Sequence, residues 1–476
     1  RVAEFAKRTD GVRAEEVRRQ LLAGRKYAVV PTHALVKVNS NFLPPYPAPA
    51  GVEIAACRGE YESFQLVVLN GDQPLRTGRV LMTPLENGEA RIDYRNLDIW
   101  SVEYVPIETP SKKNPLVKPG SLIADPLVPC DAFNLAPNQV QSLWITVHIP
   151  DDAEAGLYEG TAELYAAGME SHTIPIRVRV WDFSLPDRAR LKTSYSVWNK
   201  KGVDFLYGLK VGSPEHKELL EIYQTKLLEE YRITPRDFPD FELSSDFKRY
   251  DAWIEEQIQR GSTVYYVPGQ NMDADWLDDL NEHLKEKGWI DRAYTRLGDE
   301  PQPEDFERIV DAARRWKESA PDIKNLIAGS HLSSDLYGAI DAWCPLTTAY
   351  DPAWAEERRE KGEEVWWYVC NVPFWPYANF LTDHLAVEHR ILFWQSYHFN
   401  VDGLLHWNTI NWRFGDPWRV QETWPGSNGD GSFFYPGHKG PLPSIRLEMM
   451  RDGMEDYDYF AMLSDLVQRA GKEGVD

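Results

Sequence analysis

The chain has 476 residues, 43% hydrophobic and 26% charged, an ordinary globular composition longer than one core usually serves, so two domains are expected and disorder is not. Its 52 basic and 74 acidic residues give a net charge of −22, which repels phosphate backbones and anionic bilayers and argues against nucleic acid or a membrane surface as partner. No apolar run approaches the about 18 residues that a spanning helix needs, so membrane insertion is not expected.

The chain begins at Arg1, not Met, so the lack of a signal peptide carries no weight. Val12 to Leu22 has a helical pattern and is expected to pack outside the first domain. From Tyr27 to Trp181, short runs such as Ser63–Leu69, Ser142–Ile149 and Ile174–Trp181 alternate apolar and polar residues between Gly, Pro, Asn and Asp. Period two with turn punctuation predicts an antiparallel β-sandwich over residues 1–186. Gly156–Thr161 reads as a loop entering one of its strands.

After Ser184-Leu185-Pro186-Asp187 the period changes. Ser213-Pro214 is an N-cap with proline at the first helical position, and Leu219, Ile222, Tyr223, Leu227 and Tyr231 then recur at helical steps. Phe306, Ile309, Val310, Ala313 and Trp316 repeat that step. Between the helices lie short apolar runs at Thr193–Val197, Thr263–Val267, Ala293–Leu297, Leu326–Ala328, Val365–Val369 and Gly403–Trp407. Strand and helix in alternation predict a parallel α/β domain over 187–476, and the absence of G-x-G-x-x-G after its first strand favours a (β/α)8-type barrel over an open sheet. Ala293–Leu297 is then about the fourth strand, and Gly298-Asp299-Glu300-Pro301 sits at its C-terminal end, where barrel enzymes keep their chemistry.

Asp299 and Glu300 are the leading candidates. Adjacent carboxylates raise one another's pKa, as a general acid requires, although a solvated helix start would have the same composition. Tryptophan, with 18 copies, is abundant and clusters late in the chain; indole faces stack on sugar C–H faces. Trp407 and Trp412 are favoured because His406-Trp407-Asn408-Thr409-Ile410-Asn411-Trp412 interleaves hydrogen-bonding side chains. Asn428-Gly429-Asp430-Gly431 lacks the ligand run of a calcium loop and reads as a turn from which Asp430 could bond a sugar hydroxyl. His384, Glu388 and His389 lack zinc-peptidase spacing and read as helix-surface residues. Cys57, Cys130, Cys344 and Cys370 form no C-x-x-C and read as buried thiols. No metal and no cofactor are expected.

Gly298–Pro301, Asp402–Trp407, Asp430–Gly437, Pro443–Glu448 and Arg451–Tyr457 together make the chain resemble glycoside hydrolase family 123, the β-N-acetylgalactosaminidases and related bacterial proteins. The resemblance implies a secreted, periplasmic or cell-surface enzyme acting on an oligosaccharide or glycoconjugate glycan. It implies Glu300 as the acid that protonates the leaving oxygen. Asp299 would orient the substrate's 2-acetamido group as it attacks the anomeric carbon, giving an oxazoline and net retention. Tyr368, Asn371, Trp407, Asn408, Trp412, Asp430 and Tyr435 are the expected substrate-binding side chains. Arg446–Tyr457, on a helix opened by Pro443-Ser444, is expected to close the barrel through ion pairs. Two alternatives compete: a retaining glycosidase with a carboxylate nucleophile after the seventh strand, and a non-catalytic carbohydrate-binding protein. Val365–Asn371 ends without a carboxylate, which disfavours the first; the second needs no acid pair.

Overall fold

The computed structural model describes residues 15–39, 42, 44, 47–197, 202–236, 247–267, 273–330 and 332–473. Residues 15–22 of the expected first helix form α1, and Val12 to Ala14 lie outside the described residues.

Alternation then builds two sheets. One has the order β1 (Tyr27–His33), β3 (Tyr61–Asn70), β10 (Val140–His148), β7 (Leu97–Ile107) and β8 (Ser121–Pro129), antiparallel throughout. The other has the order β2 (Val52–Arg58), β12 (His172–Ser184), β11 (Gly156–Tyr165), β4 (Leu75–Met82) and β9 (Phe133–Leu135), with β5 (Leu85–Asn87) and β6 (Ala90–Ile92) beside it; β2 and β12 pair in parallel. Strand β11 begins at Gly156 itself, so the predicted entering loop is already strand. Along β12, Ile174, Ile176, Val178 and Val180 turn inward while Arg177 and Arg179 face water. They meet Leu66 and Val68 of β3 and Ile145 and Val147 of β10 in one apolar cluster shared by both sheets.

Beyond Ser184 the strands run parallel: β13 (Lys192–Tyr195), β14 (Tyr265–Tyr266), β15 (Ala293–Thr295), β16 (Lys324–Gly329), β17 (Ala342–Pro345), β18 (Glu364–Val365), β19 (Trp367–Tyr368) and β20 (Gly403–His406). They alternate with helices α2 (Val203–Tyr207), α3 (Pro214–Glu229), α4 (Lys248–Gln259), α5 (Ala274–Glu286), α6 (Phe306–Ser319), α7 (Pro352–Glu360) and α8 (Ala386–His398), and α9 (Ile445–Glu473) closes the chain. Ser213 caps α3 by accepting from the His216 N–H, with Pro214 at the first turn, as predicted. Strands β14 to β18 form one parallel sheet in sequence order, and β13, β20 and β19 another. Leu346 bridges Tyr368, which joins the two sheets where β18 runs into β19. At the other end Tyr195 bridges Pro235, and hydroxyl bonds between Thr193, Thr234 and Thr263 connect that segment towards β14. Tyr266, Tyr294, Ala328, Cys344, Trp366, Tyr368 and Leu405 form one buried cluster fed by strands of both sheets.

Helix α9 packs Leu447, Met450 and Met454 against the parallel strands and pairs Asp452 and Asp456 with Arg390 and Asp458 with Arg232, and other charged groups on it reach the β-rich domain. The fully buried Arg446 pairs with Asp125 of β8 at 2.9 Å and donates to the carbonyls of Phe380 and Gly429. Glu448 accepts from Ser63 of β3, Thr146 of β10, Tyr231 and Arg451. Glu455 accepts from the Tyr61 N–H, and Tyr459 donates to Glu60. His384 and His389 are buried rather than on a helix surface, held by Glu388 and by the Asn379 carbonyl. The four cysteines are unpaired thiols, three of them buried. Among the described residues no helix is long and apolar enough to cross a membrane.

Candidate active site

Strand β15 delivers the acid pair. Gly298 lies against α6, where an added Cβ would come within 2.7 Å of the Ile309 Cδ1 and would have to displace that methyl. Glu300 follows in the left-handed region, φ 43°, unusual for a side chain of its size, and its N–H donates to the Ala328 carbonyl of β16 at 2.8 Å. Gly329, at the end of β16, leaves room for this turn: its Cβ position is 3.3 Å from Pro301 and 3.6 Å from the Glu300 backbone. A strained residue fixed by two neighbouring strands is what a functional position costs.

That turn sends the two carboxylates different ways. Glu300, exposed like its neighbour, leans towards β19, where the Tyr368 hydroxyl donates to its Oε1 at 2.8 Å. Burial and the adjacent Glu300 charge push Tyr368 far above the usual phenol range, so it remains a donor at every working pH. Asp299 is 68% exposed and pairs with Arg296, a residue that sequence reasoning passed over despite its place three positions earlier.

A third carboxyl completes the centre. Asp430 follows the hairpin of β21 (Glu422–Trp424) and β22 (Ser427–Asn428), and Trp407 Nε1 donates to both its oxygens at 3.0 and 3.2 Å. Burial pushes Asp430 up to about 7, against the Trp407 bond and the Arg413 and Arg446 charges. Asn371, the first residue past Cys370, donates its backbone N–H to Asp430 and accepts the Ser427 hydroxyl on its carbonyl at 2.8 Å. His406 Nε2 lies 3.7 Å from Asp430, too far for a hydrogen bond, and has no partner among the described residues. Burial pushes His406 down to about 3, so the ring is neutral. The Tyr195 hydroxyl, on the neighbouring β13, is likewise buried without a partner, its ring 5.6 Å from that of His406. Two orphaned polar atoms at adjacent strand ends are costly unless something bonds them. Neither was singled out from the sequence, although His406 heads a run whose later members were.

Of the other predicted binders, three have internal partners. Asn408 is buried and accepts the N–H groups of Thr409 and Ile410, making a local turn. Trp412 is buried beside Tyr223, its indole N–H donating to the Phe434 carbonyl. Tyr435 is buried and donates to Asp125 at 2.7 Å. Asn408, Trp412 and Tyr435 thus lie in the core with protein partners, while Glu300 bonds Tyr368, Asp430 bonds Trp407, and Cys370 lies close to both carboxyls. Among the described residues no group of three or more His, Cys, Asp or Glu could hold a metal ion. The centre offers two exposed carboxylates, one held by the Tyr368 hydroxyl and the other by Arg296, and a buried carboxyl that keeps its proton to about neutral pH.

Two family models match. One, described as glycoside hydrolase 123, catalytic domain, covers residues 242–463, and the other, glycoside hydrolase 123 N-terminal domain, covers 47–166. Among solved structures, a family 123 glycoside hydrolase from Clostridium perfringens, studied for glycolipid glycan hydrolysis, superposes with a TM-score of 0.71 at 17% identity over 94% of this chain and 90% of its own. That likeness is one of fold. A family 39 glycoside hydrolase from Bacteroides cellulosilyticus reaches a TM-score of 0.35 at 10% identity over 86% of this chain and 82% of its own. No curated protein matches the chain in sequence.

Proposed function

Because the chain belongs to glycoside hydrolase family 123, and is a glycoside hydrolase, we propose that it releases β-linked N-acetylgalactosamine with net retention, the substrate's own acetamide acting as nucleophile. The observation that carries this reading is the contact opposite Glu300. A retaining enzyme with its own nucleophile needs a second carboxylate facing the acid, and the β19 end offers the Tyr368 hydroxyl and then Cys370 and Asn371. Asp430 is the remaining buried carboxyl of the centre, and a group that holds its proton to about 7 suits a hydrogen-bond donor to a sugar hydroxyl better than a nucleophile.

In this reading Glu300 protonates the leaving oxygen. Asp299 holds the acetamide N–H and balances the positive charge that grows on its nitrogen as the oxazoline closes. Water activated by Glu300 opens the ring. Trp407 and Asn371 position Asp430, and Tyr368 keeps the Glu300 carboxyl in line. We read the two parallel sheets as arcs of one (β/α)8 barrel spanning 187–476 behind a β-sandwich of 1–186, a reading supported by the bridges Leu346 to Tyr368 and Tyr195 to Pro235. An extracytoplasmic location belongs to the same proposal, since glycoconjugate glycans do not cross a membrane unaided.

The test is chemical. A thiazoline analogue of the oxazoline should inhibit strongly. A 2-deoxy-2-fluoro glycoside, which has no amide, should leave the protein unlabelled, and a stable glycosyl adduct on Asp430 or any other carboxylate in the mass spectrum would overturn substrate assistance. Glu300→Gln should lower kcat/KM on an oligosaccharide by about 10²- to 10⁴-fold.

A further inference from the structure

The β-rich domain and the loop after β20 enclose a cavity of about 330 Å3, lined by Pro106, Thr109, Phe414, Val420, Trp424 and Asn428. That volume is at the small end of ligand pockets, which run roughly 300–1,000 Å3, and has room for a sugar unit. Glu300 and Tyr368 do not line it.

Its aromatic wall is linked to Trp407 through Arg413. Arg413 lies with its guanidinium 4.7 Å from the ring centroids of both Phe414 and Trp424 and 5.8 Å from that of Trp407, whose indole holds Asp430. One cation thus lies against both rings of the cavity wall and the ring that holds Asp430. Phe414 is 53% exposed and Trp424 39%, although both are large apolar side chains. Exposed flat rings with charged neighbours, here Glu108, Arg419 and Glu422, present what a pyranose needs: a surface for its C–H face and bonding groups for its hydroxyls.

The cavity is built rather than left over between two loosely packed parts. The segment of the β-rich domain that walls it is pinned to the α/β part at three points: the Ser111 N–H to Asp383 at 2.7 Å, the Lys112 N–H to the Gly426 carbonyl at 2.8 Å, and Asn428 Nδ2 to the Thr109 carbonyl at 2.9 Å. Preformed walls spare a ligand the cost of ordering them.

We infer that this cavity binds the leaving-group side of the glycan, holding the sugar beyond the cleaved bond against Trp424 and Phe414. The inference rests on the glycosidase reading of Glu300 above, and it makes the β-rich domain part of the substrate site. Wild type, Trp424→Ala and Phe414→Ala are to be compared on two substrates: the glycosyl azide of N-acetylgalactosamine, whose leaving group is three atoms, and the same sugar β-linked to lactose. The variants should lose roughly fivefold to tenfold in kcat/KM on the trisaccharide and stay within twofold on the azide. Equal losses on both substrates, or none on either, would overturn the inference. Should wild type cleave neither, the catalytic reading fails by itself, and the cavity is then judged by saturation-transfer NMR with free lactose. Lactose signals present with Glu300→Gln and abolished by adding Trp424→Ala support it; signals absent from Glu300→Gln, or unchanged by Trp424→Ala, sink it.

Discussion

Glu300 acquires its position from its neighbours' backbones more than from its own side chain: a left-handed φ, a bond to Ala328, and a glycine at 329 that lets the turn approach. The acid pair was legible because two carboxylates between Gly298 and Pro301 at a strand end are chemically conspicuous. Their separate partners, Tyr368 and Arg296, were not, since adjacent residues past a strand end carry no sequence mark of what each will meet. The burial of Asn408, Trp412 and Tyr435 was not legible for a related reason: amides and aromatics interleaved in a loop serve a buried turn as well as a sugar. Asp430 gives a pH signature. Burial raises it to about 7, so it keeps its proton below that pH and loses it above. If it donates to a sugar hydroxyl, KM should be flat in mild acid and rise about tenfold by pH 8. Asp430→Asn, whose amide donates at every pH, should remove that rise. Initial rates between pH 5 and 9 check it, and an Asn variant that keeps the alkaline rise would discard the donor role.

At the scale of elements, the change of period after Ser184-Leu185-Pro186-Asp187 was readable, and so were six of the parallel runs. Two were not. Ala342–Pro345 is four residues ending in proline, too short to show a period, and the segment at Pro235 pairs by an isolated bridge. Strand starts hold ions that patterning cannot foresee. Glu364 of β18 accepts from Lys192 of β13 at 2.8 Å, Lys324 of β16 at 2.7 Å and Tyr294 of β15 at 2.7 Å, tying both sheets at one carboxylate. Burial alone would raise its pKa, but the two lysines hold it down to about 2. A depressed carboxylate stabilises the fold above its unfolded pKa, and the contribution is lost as pH falls from about 4.5 to 2. Glu364→Gln should therefore cost about 3 kcal/mol at pH 7 and almost nothing near pH 2. Urea unfolding at both pH values measures the difference, and an equal cost at both would refute the electrostatic account.

Across the whole molecule, α9 is the seam. Its own Asp452, Glu455 and Asp456 meet Glu60 and Glu62 around Arg390 and Arg451, so carboxyls outnumber guanidiniums in this space. Burial raises Asp452 to about 7 in spite of Arg390 at 3.2 Å. A carboxyl raised in the folded state binds a proton that the unfolded chain has released, so stability declines as pH climbs from about 4 to 7. Together with Glu364 this places the thermal optimum in mild acid. Asp452→Asn should flatten the decline, seen as a Tm that changes less than wild type between pH 5 and 8. This seam was the least legible feature: Arg446–Tyr457 showed its charges plainly, while the partners sit more than 300 residues earlier in chain order. Arg446 has no solvent around it, and its carboxylate, Asp125, belongs to the other half of the chain. Deprived of Asp125, that guanidinium would be an unpaired charge in a dry interior, at a cost of several kcal/mol. Recombination could therefore not trade the β-rich half for a foreign module as beads on a string are exchanged. Any replacement module would have to bring its own carboxylate to the place that Asp125 holds.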